Sequence, residues 1–265
     1  LDPAFRALCL KLPAEDDLAQ TLHAMGKTPD PDRIHAAHRA MGLALARRLG
    51  DGLGRLYAEL NDGAAFSPSA EGAGRRALKL AALGLLGHLG ERGLAESAYA
   101  EAKSMTEEIG ALAVLLEIGA GQAELARFAR RWSHDRNVMD KWFALQLAQS
   151  EPDQTASLAE TLAQREDFGW KTPNRFRTFF GALAANHAGF HHGSGAGYRL
   201  LADWLIRMDP LNPQTASRVS TAFETWPRYD AGRRGHAKAE LLRIQAAPGL
   251  SPDLREMVER MLSAG

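Results

Sequence analysis

The chain has 265 residues, with 32 basic and 32 acidic side chains, so its formal net charge at pH 7 is zero. The balanced charge disfavours a nucleic-acid binder, which needs a net basic face. No apolar run is long enough to span a membrane and no signal-peptide pattern opens the chain. Its one cysteine, Cys9, excludes an internal disulfide or a cysteine zinc site and favours a reducing, cytoplasmic location.

The predicted elements are all helices. Only nine residues are valine or isoleucine, and strands are normally rich in these side chains, so the chain is predicted to be all-α. Helical periodicity and capping residues place helices, in chain order, over 3–10, 14–25, 31–49, 53–61, 68–89, 93–103, 106–118, 121–150 with a break near Ser133-His134, 153–165, 173–187, 195–208, 213–225, 230–246 and 252–263.

The helix starts recur at a nearly constant spacing. A capping residue precedes proline five times, at Asp30-Pro31, Ser67-Pro68, Thr172-Pro173, Asn212-Pro213 and Ser251-Pro252. Successive starts lie 37 (30 to 67), 40 (172 to 212) and 39 (212 to 251) residues apart, and another start at Thr106 follows Ser67 by 39. A period near 40 with two helices per repeat predicts a HEAT- or armadillo-like solenoid of stacked helical hairpins, a right-handed α-α superhelix forming one domain over 1–265.

Apolar side chains indicate how these helices pack. One stripe has i, i+3, i+4, i+7 spacing and is predicted to face Leu112, Leu115 and Leu116; it contains Leu78, Ala81, Ala82, Leu85, Leu86 and Leu89. The tryptophans are predicted to pack between helix layers, and they are Trp132, Trp142, Trp170, Trp204 and Trp226.

Histidines and glycines give weak signals for chemistry. His187 and His191 have i, i+4 spacing, but no HExxH motif surrounds them, and the segment 186–197 is predicted to be a polar surface loop or tip. His35 and His38 share a helix face without an evident carboxylate to orient a metal. The glycines of 193–197 fit neither a dinucleotide motif nor a nucleophile elbow, and predict a flexible entry to the next helix.

Acidic pairs also have a structural interpretation. Asp16-Asp17 and Glu107-Glu108 open predicted helices, where the helix dipole favours negative charge, and this is their expected role. No pair of carboxylates is spaced for acid–base catalysis, and we expect no catalytic residue, metal ligand or cofactor site in this chain.

Two arginines form the one candidate site. Arg177 lies five residues after the Thr172 cap, and Arg218 lies six after the Asn212 cap. Equivalent positions on successive repeats fall about 10 Å apart, so the two guanidinium groups are predicted to lie side by side near positive helix ends. Such a pair can bind a carboxylate, although two ordinary surface arginines would give the same pattern.

Several longer motifs resemble one family. They are Leu1-Asp2-Pro3-Ala4-Phe5-Arg6-Ala7, Val138-Met139-Asp140-Lys141-Trp142-Phe143-Ala144-Leu145-Gln146, Pro173-Asn174-Arg175-Phe176-Arg177, Asn212-Pro213-Gln214-Thr215-Ala216-Ser217-Arg218 and Arg228-Tyr229-Asp230-Ala231. In this order they resemble the C-terminal domain of bacterial aminopeptidase N, the zinc-dependent alanyl aminopeptidases of the gluzincin class. The resemblance covers essentially the whole chain.

The resemblance implies a larger hydrolase. In that family the zinc ligands and the catalytic glutamate lie upstream of this domain, so the chain would be a non-catalytic fragment of a metalloprotease. The helical domain would cap the active site, form the cavity wall and restrict access to small peptides. Its partners would be the upstream catalytic domain and the peptide substrate, and Arg177 and Arg218 would line the substrate channel.

One departure and two alternatives remain open. The family loop resembles F-H-x-x-D-G-S-G-Y, whereas residues 190–198 read FHHGSGAGY, so the acid is missing and no role of that loop is transferred. The chain begins with Leu1 rather than Met, which favours a piece of a longer protein over a free-standing helical-repeat scaffold that binds a protein. A small metal hydrolase using the 187–192 histidines is the third hypothesis.

Overall fold

A computed structural model describes residues 2–265, and these residues form fifteen α-helices and no strand. The all-α prediction is confirmed. The helices are α1 (Pro3–Cys9), α2 (Glu15–Ala24), α3 (Pro31–Leu60), α4 (Ala70–Gly87), α5 (Arg92–Ala100), α6 (Met105–Glu117), α7 (Gln122–Trp132), α8 (Arg136–Ala148), α9 (Thr155–Ala163), α10 (Pro173–Ala185), α11 (His187–Phe190), α12 (Ala196–Met208), α13 (Pro213–Ser220), α14 (Ala231–Gln245) and α15 (Pro252–Ser263).

Most of the predicted starts are correct. Helices α3, α10, α13 and α15 each begin at the proline of a cap–proline pair, because proline needs no hydrogen-bond acceptor at the first helical position. The Ser67-Pro68 prediction is wrong by two residues, since Ser69 caps α4 and accepts a hydrogen bond from the Gly72 amide at 3.1 Å. The Thr106 start is wrong by the same amount, since Ser104 caps α6.

The two helices predicted over 31–49 and 53–61 form one kinked helix. Gly50 interrupts α3 with φ 34° and ψ −116°, a conformation in which a Cβ would be strained. Glycine therefore bends this helix without ending it.

The chain divides into two compact units. Unit 1 contains the residues up to Ala14 and Ala36–Arg131, and unit 2 contains Glu15–His35 and Trp132–Gly265. Within unit 1, α4 packs on α1 and on α6. The predicted stripe is largely buried there, together with Leu112 and Leu115, but Leu89 is 37% exposed because α4 ends before it.

Unit 2 is built from two layers of helices. In the first layer α8 contacts α10, α10 contacts α13, and α13 contacts α15. In the second layer α12 contacts both α9 and α14. The layers meet where α12 packs on α13 and α14 packs on α15. Each first-layer helix has one buried face and one face of exposed residues, which we call its free face.

Aromatic side chains fill the space between the layers of unit 2. Phe143, Phe168 and Phe179 are fully buried in mutual contact, and the Phe168 ring meets Trp204 with centroids 5.8 Å apart. Trp142 and Trp226 are also buried, as predicted, whereas Trp132 and Trp170 are only half-buried.

Candidate functional site

Arg177 lies on the free face of α10. The buried face of this helix carries Phe176, Phe179, Phe180 and Leu183, whose spacing follows the helical period. Arg177 falls between these positions and is exposed. The Thr172 hydroxyl does not cap the helix, because it accepts a hydrogen bond from the Arg136 guanidinium at 2.6 Å instead.

Arg218 occupies the corresponding face of α13. The Asn212 side chain accepts a hydrogen bond from the Thr215 amide at 2.9 Å and fixes the start of this helix. Ala216 and Val219 are buried, and Arg218 between them is exposed. The same capping and burial pattern therefore presents one arginine from each of two adjacent helices.

Neither arginine is used within the fold. Among residues 2–265, no hydrogen bond or ion pair engages the guanidinium of Arg177 or of Arg218. Each guanidinium offers five N–H donors in a planar fork that matches a carboxylate. Their proposed role as substrate-channel residues stays a prediction, and their geometry is compatible with it.

A buried ion pair fixes the position of α10 against α8. Arg175 and Asp140 are each 6% exposed and form this pair through the Arg175 Nε atom. Arg175 also donates to the Phe168 carbonyl at 2.9 Å, and Asn174 donates to Asp140 at 2.6 Å. A paired and hydrogen-bonded charge of this kind is costly to disrupt, so it gives the free face a rigid support.

The histidine segment is buried, so the prediction of a polar surface loop is wrong. Helix α11 lies here, and His187 and His191 are each 4% exposed. His187 Nε2 shares a hydrogen bond with the Tyr229 hydroxyl at 2.9 Å, and His191 Nδ1 shares one with Tyr198 at 2.8 Å. These two aromatic partners, Tyr229 at 42 residues from His187 and Tyr198 at 7 residues from His191, draw the segment into the core.

Burial controls the ionisation of both histidines. It lowers the pKa of His187, and the nearby carboxylate of Glu15, 3.8 Å from Nδ1, opposes part of this effect. Burial also lowers the pKa of His191 well below its ordinary value. Burial raises the pKa of the Tyr229 hydroxyl to about 12. Both histidines are therefore neutral near pH 7.

The residues present do not fit a metal site. In the described part of the chain, no group of three or more His, Cys, Asp or Glu side chains is arranged to hold an ion. His187 and His191 each engage a tyrosine, and the half-buried His192 shares a hydrogen bond with Ser194 at 2.9 Å. The observed arrangement gives the metal-hydrolase hypothesis no ligand set.

Sequence reasoning missed a network of ion pairs within unit 2, which we call the polar junction. Carboxylates of α2, of the start of α3 and of the α14 cap pair there with two arginines, Arg228 and Arg233. Arg233 reaches Asp32 at 2.5 Å and Asp230 at 2.7 Å, and Arg228 lies 3.5 Å from Asp16. Arg233 and Asp32 are 201 residues apart, so no local pattern could reveal the pair.

Other local expectations also need correction. His35 does have a carboxylate partner, because its Nδ1 lies 2.7 Å from Glu15. Glu107 does more than open a helix, since it pairs with Lys79 at 2.9 Å and accepts from the Lys103 amide at 3.1 Å. Glu108, next to it, is buried and contacts the Tyr99 hydroxyl at 3.4 Å.

Comparison with known proteins shows the family to which this chain belongs. Residues 1–263 match the family described as "Domain of unknown function (DUF3458_C) ARM repeats". The chain therefore belongs to this family of armadillo-type repeats, and the predicted repeat fold is confirmed. Among residues 2–265 no helix has the length and apolar character needed to cross a membrane.

The curated relatives are aminopeptidases. The chain is 37% identical over 267 residues to aminopeptidase N of Caulobacter vibrioides, 35% over 269 to that of Haemophilus influenzae, and 32% over 270 to that of Escherichia coli. These alignments cover 98%, 98% and 99% of this chain, but the chain spans only 30% of each relative. The resemblance to aminopeptidase N is confirmed.

One solved structure has the same fold. It is the crystal structure of Legionella pneumophila aminopeptidase A in complex with aspartic acid, which matches with a TM-score of 0.89 at 24% identity. The match covers 100% of this chain and 32% of that one. At this identity the likeness shows the fold alone.

Proposed function

We propose that this chain is the C-terminal domain of a longer zinc aminopeptidase that removes N-terminal residues from peptides. The domain performs no chemistry itself; it caps the active site, forms the cavity wall and admits small peptides. Relatives named aminopeptidase N, about 30% of whose length this chain spans, support a longer enzyme. With one cysteine in the sequence, we assign the enzyme to a reducing compartment, the cytoplasm.

Zinc belongs to the remainder of this enzyme. When bound there, it would activate water and polarise the scissile carbonyl. The described residues offer it no ligand set, so this chain takes part by binding and positioning the peptide rather than by holding the metal.

The main support for peptide binding is the pair of exposed arginines on adjacent helices, whose guanidinium groups form no ion pair among residues 2–265. Arg177 and Arg218 can each donate two parallel N–H···O hydrogen bonds to a carboxylate. When the N-terminus of a peptide lies in the active site, its C-terminal carboxylate lies away from the catalytic centre. We propose that the two arginines bind this carboxylate and so favour peptides of a suitable length.

The test uses the full-length enzyme and two matched peptides, one with a free C-terminal carboxylate and one with a C-terminal amide. Arg177→Ala and Arg218→Ala are each expected to reduce kcat/KM on the free acid about fivefold, the effect of losing about 1 kcal/mol from an exposed charge pair. The kcat/KM values for the amide and for a fluorogenic alanyl substrate, which both lack the carboxylate, should change little.

Arg199→Ala is the matched control, because Arg199 is also exposed but lies on α12 in the second layer. It should leave all three substrates unaffected. Equal losses on acid and amide, or no loss on either, would contradict the carboxylate role of the arginines.

A further inference from the structure

A third exposed cation, Lys141 of α8, occupies the same position after its helix cap as Arg218 of α13. Helix α8 is capped by Asp135, which accepts hydrogen bonds from the Asn137 and Val138 amides. Lys141 is the sixth residue after this cap, as Arg218 is the sixth after Asn212. Lys141 is exposed, and no hydrogen bond or ion pair engages its ammonium group among residues 2–265.

Contacts at both ends align α8 with α10. At the N-terminal end Arg136 donates to Thr172 at 2.6 Å. At the C-terminal end the Asn186 amide donates to the carbonyls of Leu147 and Ser150, both at 2.9 Å. The two helices are therefore parallel and in register, which places Lys141 level with the first turns of α10.

Charge is strongly biased on these three helices. Together α8, α10 and α13 contain five basic residues and one acidic residue, although the whole chain is balanced. The single acid, Asp140, is buried against Arg175. The exposed cations Lys141, Arg177 and Arg218 consequently have no carboxylate on their own helices to neutralise them.

The exposed residues near these cations have small side chains. The exposed face of α10 continues through Gly181 and Ala185, and the exposed residue that directly follows α13 is Thr221. The large aromatic side chains of α10 are on its opposite, buried face. On α15 the residues five and six positions after the Ser251 cap are Glu256 and Met257, neither of them basic, so the positive face consists of α8, α10 and α13.

We propose that Lys141 is a specificity-determining residue, and that this cationic face selects peptides with an acidic side chain in addition to the terminal carboxylate. This inference rests on the proposed function. Adjacent helices lie about 9 Å apart, which exceeds the reach of one carboxylate. An extended peptide covers about 3.4 Å per residue, so the acidic side chain belongs roughly three residues before the C-terminus.

The test compares two hexapeptides with free C-termini in the full-length enzyme: Ala-Ala-Glu-Ala-Ala-Ala and the same peptide with glutamine replacing glutamate. We expect the wild type to favour the glutamate peptide about fivefold in kcat/KM, as one exposed ion pair allows. Lys141→Ala should bring this ratio to about one, and Lys141→Arg should preserve it. Lys238→Ala, an exposed lysine on α14, is the control that leaves the ratio unchanged.

The outcomes separate this inference from the proposed function. A wild-type ratio near one, or an unchanged ratio in Lys141→Ala, overturns the role of Lys141. If Arg218→Ala still weakens both hexapeptides in that case, the carboxylate-binding function stands without Lys141. If no substitution affects either peptide, both proposals fail.

Discussion

Two regions of unit 2 use similar charged residues in opposite ways. At the polar junction, Arg233 is only 11% exposed and is engaged by Asp32 and Asp230. On the cationic face of α8, α10 and α13, the exposed cations have no such partners among residues 2–265. Charges that are paired within the fold contribute to holding it together, whereas unpaired ones are available to a ligand. The first group should govern stability and the second should govern peptide turnover.

The largest expected effect comes from the support beneath the cationic face. Asp140→Ala leaves the Arg175 guanidinium buried without its carboxylate, and such a change costs about 3–5 kcal/mol. Urea unfolding of the variant should show this loss of stability. Asp203→Ala, which removes a 55% exposed partner of Arg243, is the control and should cost less than about 1 kcal/mol. Similar losses in both variants would contradict the distinction.

The polar junction should show the next largest effect. Arg233→Ala removes pairs to two carboxylates and a hydrogen bond to the His191 carbonyl at 2.6 Å, so we expect a loss of about 2 kcal/mol. Its neighbour Arg234 is exposed and gives a matched control, Arg234→Ala, expected within about 0.5 kcal/mol of wild type. Equal melting temperatures for the two variants would show that the junction contributes nothing.

The buried histidines predict a dependence on pH. Burial lowers the pKa values of His187 and His191 in the folded state. Below the unfolded histidine pKa of 6.5, the unfolded chain therefore binds more protons than the folded chain does. Stability is therefore fully present above pH 6.5 and declines as pH falls below it. Between pH 6.5 and 5.5 each histidine should account for up to about 1 kcal/mol.

The measurement is urea unfolding at pH 7.5 and pH 5.5 for wild type and His191→Gln. The variant is expected to be less stable at both values but to lose less between them, since one titrating group is gone. An identical pH dependence in the two proteins would mean that His191 is not held neutral by burial.

The smallest effect on stability is expected on the cationic face. Lys141→Ala, Arg177→Ala and Arg218→Ala each remove an exposed charge with no partner, so unfolding free energies should stay within about 0.5 kcal/mol of wild type. Thermal melts at low ionic strength provide the check. A loss above about 1 kcal/mol for any of them would show that the residue is structural after all.

Local features of this fold can be predicted from the sequence, whereas contacts between distant segments cannot. The 40-residue period, the proline-started helices and the register of Arg177 and Arg218 are local patterns, and local hydrogen bonding and sterics determine them. The burial of His187 depends on Tyr229, 42 residues away, and on Glu15 in a separate segment of unit 2. Lys141 is part of a recognisable motif, but its proposed role depends on the packing of α8 beside α10, which the sequence does not reveal.

The most direct test of the central idea is a crystal structure of the full-length enzyme with a slowly cleaved peptide bound. We predict that the peptide's C-terminal carboxylate lies about 2.7–2.9 Å from guanidinium nitrogens of Arg177 or Arg218, the range of charge-assisted hydrogen bonds. An ordered carboxylate bound elsewhere, with both arginines facing only solvent, would contradict it.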